Sequence, residues 1–204
     1  MSTGADSGLV AIFGYGGEAT AEALQTVAEA QRRGARALFV DTAQEFDAGA
    51  ASLAGIDLSE LLVMHPDDAD RSMRAIRILA ESGAVGFVAI DRASEFFSAE
   101  GDEKASRRRV AEFAKFAARS RAGCVAAVRI AQMRGAMFGN LSAAAAEDAL
   151  RRRAKTVRRA SPVGEGPYNG GFRVHPSTRK SPWLHSEKSK VGLGGVHSCT
   201  SKSA

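Results

Sequence analysis

At 204 residues, 45% of them hydrophobic, the chain is long enough for one domain with a buried core and a shorter extension. No apolar run approaches the roughly 20 residues of a membrane span, and MSTGADSG at the start lacks the charged and apolar regions of a signal peptide. Cys124 and Cys199 make neither a disulfide framework nor a metal cluster, so a cytoplasmic protein without a membrane partner is expected.

In chain order, strand and helix signals alternate. Leu9–Phe13 (LVAIF) reads as a short buried strand and Thr20–Arg33 as an alanine-rich helix stopped by Gly34. Ala37–Val40 (ALFV) is a strand running into Asp41, and Leu61–Met64 (LLVM) is a strand stopped by His65-Pro66. Asp67–Ser82 follows as a helix with Met73, Ile76 and Leu79–Ala80 on one face. Phe87–Ile90 (FVAI) ends at Asp91, Lys104–Arg119 is a basic helix with Val110, Phe113 and Phe116–Ala117 inward, and Val125–Ile130 is the last clear strand. Continuous apolar strands alternating with helices predict a mostly parallel sheet covered on both faces. Ligands of such sheets bind beyond the carboxyl ends of the strands, where Asp41, Asp91 and the turn after Phe13 fall.

Charge is unevenly spread along this frame. Residues 151–204 hold 12 basic against 2 acidic side chains, a net of +10, while residues 1–150 hold 16 basic and 21 acidic, a net of −5. A basic end on an acidic body suits a polyanion or an acidic partner; the plain alternative is a solvated tail. Gly, Pro, Ser, Lys and Arg dominate the last forty residues, which predicts a core over 1–160 and a basic, largely irregular tail over 161–204.

The turn between the first strand and helix is rich in glycine: Val10–Leu24 reads VAIFGYGGEATAEAL. A nucleotide-binding protein places G-x-x-x-x-G-K-S/T there, its glycines closing backbone N–H groups around phosphate and its lysine neutralising the terminal charges. Gly14, Gly16 and Gly17 supply the first element, but the first lysine of the chain is Lys104, and Glu18 puts a negative charge in the loop. The loop has the form of a phosphate site that has been disabled.

Four segments in order make the chain resemble the ATPase core of the RecA recombinase family. They are VAEAQRRGARALFVDTAQEFD (Val27–Asp47), AGIDLSELLVMHPDDAD (Ala54–Asp70), SGAVGFVAIDRAS (Ser82–Ser94) and MRGAMFGN (Met133–Asn140). The likeness runs from Gly8 to Arg159 and implies a RecA-like P-loop NTPase fold, α/β, with helices on both faces of the sheet. Against the family pattern, Ala19 stands at the lysine position, Thr20 keeps the threonine, and the water-activating glutamate falls at Ala43. Asp91 keeps the Walker B carboxylate, Arg92 follows where the family has serine, Asp47 keeps an adenine-contacting acid, and the stacking tyrosine becomes Ala50. The γ-phosphate-sensing glutamine aligns near Arg129, and Gln132, the only nearby glutamine, is out of register. The resemblance thus implies a vestigial nucleotide site at Gly14, Gly16, Gly17, Thr20, Asp47 and Asp91, with ATP and Mg2+ bound only if it keeps function, Asp91 being the one candidate metal ligand.

Candidate DNA contacts are Phe138 and Asn140, at the position of a family DNA loop, and the basic residues Arg151, Arg152, Arg153, Arg158 and Arg159. The chain begins almost at the glycine loop, so the family's N-terminal packing element is expected to be missing and no long filament is expected of this chain alone. Three readings follow. The first is a non-catalytic RecA-like protein of DNA repair, recombination or the damage response, of the kind represented by the ImuA accessory proteins. Its expected partners are a RecA filament, a repair polymerase or single-stranded DNA. The second is a divergent DNA-dependent ATPase, and the third a decayed fragment.

Overall fold

The computed structural model describes residues 8–130, 140–162 and 172–173. Six strands form one parallel sheet: β1 (Leu9–Gly14), β2 (Ala37–Val40), β3 (Leu61–Met64), β4 (Phe87–Ile90), β5 (Gly123–Arg129) and β6 (Thr156–Arg159), in the order 3-2-4-5-1-6. Between them lie α1 (Glu18–Arg32), α2 (Ala48–Leu53), α3 (Ala69–Glu81), α4 (Ala93–Phe97), α5 (Glu103–Arg119) and α6 (Leu141–Arg153). The doubly covered α/β sheet expected of the sequence is what forms. No described helix is long and apolar enough to cross a membrane.

Strand alternation divides the core in two. Leu9, Ala11, Phe13, Leu38, Val40, Val88 and Ile90 face α3, α4, α5 and α6, while Ile12, Ala37, Phe39, Ala89, Val125 and Ala127 face α1 and α2. The first layer is anchored by aromatic rings: Phe96–Phe97, Phe97–Phe113 and Phe113–Phe116 have centroids 5.0, 5.4 and 5.7 Å apart. The second layer is mostly alanine, so α1 sits close to the strands. A Cβ on Gly14 would come within 2.8 Å of the Ala19 nitrogen, which is why the turn into α1 begins with glycine.

Several boundaries differ from the sequence reading for local reasons. Asp68 caps α3 by accepting the Arg71 N–H at 2.6 Å, so that helix starts at Ala69 rather than Asp67. Asp102 does the same for α5 through Ala105, and α1 starts at Glu18, two residues earlier than expected. The larger correction is at the end of the sheet. Val125–Ile130 is not the last strand, because Thr156–Arg159 pairs in parallel with Val10–Phe13 as β6. All four β6 residues are exposed at a sheet edge, so no apolar alternation marked them. Of the residues read as tail, Ser161–Pro162 and Phe172–Arg173 form a short antiparallel pair (β7, β8). The rest of that segment, 163–171 and 174–204, lies outside the described residues.

Candidate functional site

At the carboxyl ends of β1, β2, β4 and β5 the glycine loop, Asp41 and Asp91 come together. Gly16 takes φ +60°, a left-handed turn that glycine accepts without strain, and Gly17 stands as the residue before α1 with no side chain to cap it. Glu18 braces the turn from the first residue of the helix. Its carboxylate accepts the Tyr15 N–H at 3.0 Å, and the residue is buried to 7% exposure. An acid in the first turn also suits the positive end of the helix. The acidic side chain expected in the loop is there, and its carboxylate is bonded to the loop's own backbone.

Arg129, at the end of β5, covers the loop from the other side. Its Nε donates to the Gly16 carbonyl at 3.2 Å, and its Nη2 lies 4.0 Å from Glu45 Oε2. Glu45 in turn pairs with Arg92 at 2.5 Å, and Arg92 reaches Glu95 at 3.7 Å. Arg92 holds φ +45°, an unusual conformation for a non-glycine residue and costly enough to need support from its surroundings. This charge chain joins four elements across the strand ends. Glu45 and its pairing with Arg92 and Arg129 were not legible in the sequence, because nothing in their spacing signals it.

Thr20 and Asp91 meet below the loop, the hydroxyl donating to Asp91 Oδ1 at 2.5 Å. Burial raises the Asp91 carboxyl above its ordinary range, the nearby Asp41 charge adding to this and the Thr20 hydrogen bond opposing it. Asp41 is buried and accepts the N–H groups of Glu45 and Phe46 at 3.1 and 2.9 Å, which fixes the loop after β2. Asp47 caps α2 by accepting the Ala50 N–H at 2.9 Å. Leu24, Phe39 and Phe46 close the apolar side of a cleft of about 220 Å³, whose polar rim carries Thr20, Asp47, Asp91 and Arg129. That is smaller than the roughly 300–1,000 Å³ of most small-molecule pockets. Among the described residues no three His, Cys, Asp or Glu side chains cluster as a metal site.

A second cleft, of about 300 Å³, opens on the far side of β1 between Phe13, Tyr15, Ile130, Val157 and three arginines. Arg151 lies 4.0 Å above the Phe13 ring and pairs with Glu147 at 2.9 Å. Arg159 lies 5.7 Å over the Tyr15 ring and donates to its hydroxyl at 3.3 Å, and Arg158 is 3.9 Å from Glu22. Of the five arginines singled out in the sequence, Arg151, Arg158 and Arg159 line this cleft, the Arg158 guanidinium being turned towards Glu22 of α1. Arg152 pairs with Asp148 at 3.0 Å on the outer face of α6, and Arg153 is exposed away from the cleft lining. Asn140 caps α6 through the Ala143 N–H at 3.1 Å, and Phe138 lies outside the described residues.

Sheet order, glycine turn and the Thr20–Asp91 pair together define a RecA-like α/β core. The family model of the RecA N-terminal domain matches residues 4–160, and the chain belongs to that family. It is similar to the protein RecA of Thermus thermophilus, 38% identical over 84 residues, covering 41% of this chain and 25% of that protein. RecA of Thermus aquaticus is 40% identical over 81 residues, 39% of this chain and 24% of the relative. RecA of Caulobacter sp. strain K31 is 40% identical over 80 residues, 38% and 22%. The matched stretch thus spans about a quarter of the length of these relatives.

Proposed function

We propose that this chain is a RecA-like protein of DNA repair or recombination that acts by binding DNA or repair proteins and not by hydrolysing ATP. The observation that carries the reading is the Glu18 carboxylate on the Tyr15 N–H, beside Ala19 where a phosphate loop needs lysine. Arg129, the one cation lining the cleft among the described residues, is held on the Gly16 carbonyl, and the Tyr15 N–H is taken by Glu18, so the loop as folded offers a phosphate neither a free cation nor that donor. A lost charge-assisted phosphate contact costs about 1.5–3 kcal/mol, or roughly one to two decades of affinity. Ala43 in place of the activating glutamate removes a general-base contribution of about 10²–10⁴ in rate.

On this reading the interface lies at Arg151, Arg158 and Arg159. Guanidinium groups pair with phosphate through flat, forked hydrogen bonds, and the contacts need no base sequence. A RecA filament or a repair polymerase remains the proposed protein partner, as for accessory proteins of the ImuA kind. The test is a hydrolysis assay with and without single-stranded DNA, run beside a DNA-binding titration across salt. Binding without turnover supports the reading; turnover abolished by Asp91→Ala ends it.

The Thr20–Asp91 hydrogen bond favours a second reading, a divergent ATPase, since it keeps a hydroxyl and a carboxylate together at the loop. Arg129 would then have to leave Gly16 and supply the positive charge that Ala19 lacks. Calorimetric ATP binding that is lost in Arg129→Ala is the result expected of that alternative.

A further inference from the structure

The basic helix α5 takes no part in the sites above. Its N-terminal half is clamped to α3: Arg109 meets Asp70 through Nε at 3.1 Å and Nη2 at 2.8 Å, and its Nη1 donates to the Ser98 carbonyl at 2.7 Å. Beyond that clamp the two helices leave a cleft of about 500 Å³, rimmed by Arg77, Glu81, Glu112, Lys115 and Arg119 above Phe116. The C-terminal turns of α3 and α5 lead into β4 and β5, so the cleft lies at the end of the sheet opposite the glycine loop.

We propose that this cleft docks an acidic segment of a partner protein that carries one bulky apolar side chain. Charge decides the sign of the partner. Glu112 is already shared between Arg77 at 3.9 Å and Arg108 at 4.0 Å. Lys115 and Arg119 are exposed and have no ion-pair partner among the described residues, which leaves Glu81 as the one uncompensated acid on the rim. Arg121, just past α5, is exposed as well.

The floor decides the class. Phe116, 8% exposed, lines the floor, backed by Phe113 with centroids 5.7 Å apart, and an apolar anchor can rest on it. A peptide also brings backbone N–H donors that can meet Glu81. A nucleic-acid backbone brings phosphate acceptors, which Glu81 repels, and Phe116 at 8% exposure gives a base no open ring face to stack on. Recognition of acidic motifs by clustered basic side chains is a recurring mode of peptide binding. The patch is small, so the complex is a transient one.

The experiment is fluorescence anisotropy of the full chain with a fluorescein-labelled peptide, Asp-Asp-Glu-Asp-Leu-Phe. Binding that weakens with salt is expected, with Lys115→Glu plus Arg119→Glu lowering affinity about tenfold or more through like-charge repulsion. Lys115→Arg should keep the affinity, and replacing the peptide's Phe by Ser should lower it several-fold. Thermal melts of the variants check that these exposed positions leave the fold intact. Unchanged binding in the double glutamate variant, no binding at millimolar peptide, or displacement of the peptide by a thymidine oligonucleotide would each overturn the proposal. None of these outcomes depends on hydrolysis or on Arg151, Arg158 and Arg159.

Discussion

Glu18 bonds through its carboxylate to the N–H of Tyr15, three residues back, so the first acid of α1 fills the loop that a phosphate would need. A helix N-terminus preceded by glycines is a ready anion site. Here the anion is part of the chain, covalently present and always at high local concentration. A phosphate entering the loop must displace a carboxylate, and no lysine is there to reward it. This relation sets the first test.

Ala19→Lys alone should do little, because the new ammonium falls beside Glu18. Combined with Glu18→Ala, it should raise affinity for ADP by about one to two decades, the value of a charge-assisted phosphate contact. Calorimetry on the two variants and the parent measures this. Equal affinity in all three means that Glu18 does not close the loop.

Replacing Arg151, Arg158 and Arg159 together by alanine should flatten the salt dependence of single-stranded DNA binding. Each lost phosphate contact removes about 0.7 from the log–log slope, so three remove about 2. Arg152→Ala with Arg153→Ala should change it much less, since neither residue lines the arginine cleft. Anisotropy with a thymidine oligonucleotide distinguishes the two sets, and equal slopes for both would leave the cleft without a special role.

Asp91 gives a prediction in pH. Burial raises its folded carboxyl pKa above the unfolded value, so the folded state holds the proton more tightly. Its contribution to stability is therefore most favourable below the unfolded value of about 3.9 and declines as pH rises through the folded pKa. Asp91→Asn, whose amide oxygen can still accept from Thr20, should stabilise the fold at neutral pH. That gain should shrink as pH falls towards the unfolded value. Thermal melts across this range check the sign; a destabilised Asp91→Asn at neutral pH contradicts it.

Phe113 is 1% exposed between Phe97 and Phe116, and Phe113→Ala should cost about 3–5 kcal/mol. Val157, 48% exposed on the edge strand, should lose no more than about 0.5 kcal/mol on truncation to alanine. Urea denaturation of the two variants separates the aromatic layer from the sheet edge as the source of stability.

Apolar runs bounded by turn residues marked β1 to β5, with β2, β3 and β4 at their observed ends: β1, β2, β4 and β5 because buried parallel strands are continuously hydrophobic, and β3 although it is an exposed edge. The glycines at the end of β1 and the alternation of helix and strand pointed to the same architecture. These signals are local, and local propensity is enough to carry them. Strand β6 was not legible: Thr156–Arg159 becomes a strand by pairing with β1, and a four-residue edge carries no buried pattern of its own. The members of the site, Gly14, Gly16, Gly17, Thr20, Asp47 and Asp91, were legible through the family resemblance, but their contacts were not. Thr20 and Asp91 are 71 residues apart, and Arg129 and Gly16 are 113 apart, so no spacing rule joins them. The direction of the Glu18 carboxylate and the place of Arg151 over Phe13 depend on which atoms the folded sheet brings within reach. The chain's own residue order therefore determined the layers, whereas the charges around the loop were assigned their partners by tertiary packing, since a hydrogen bond or ion pair depends on distance in space and not along the chain.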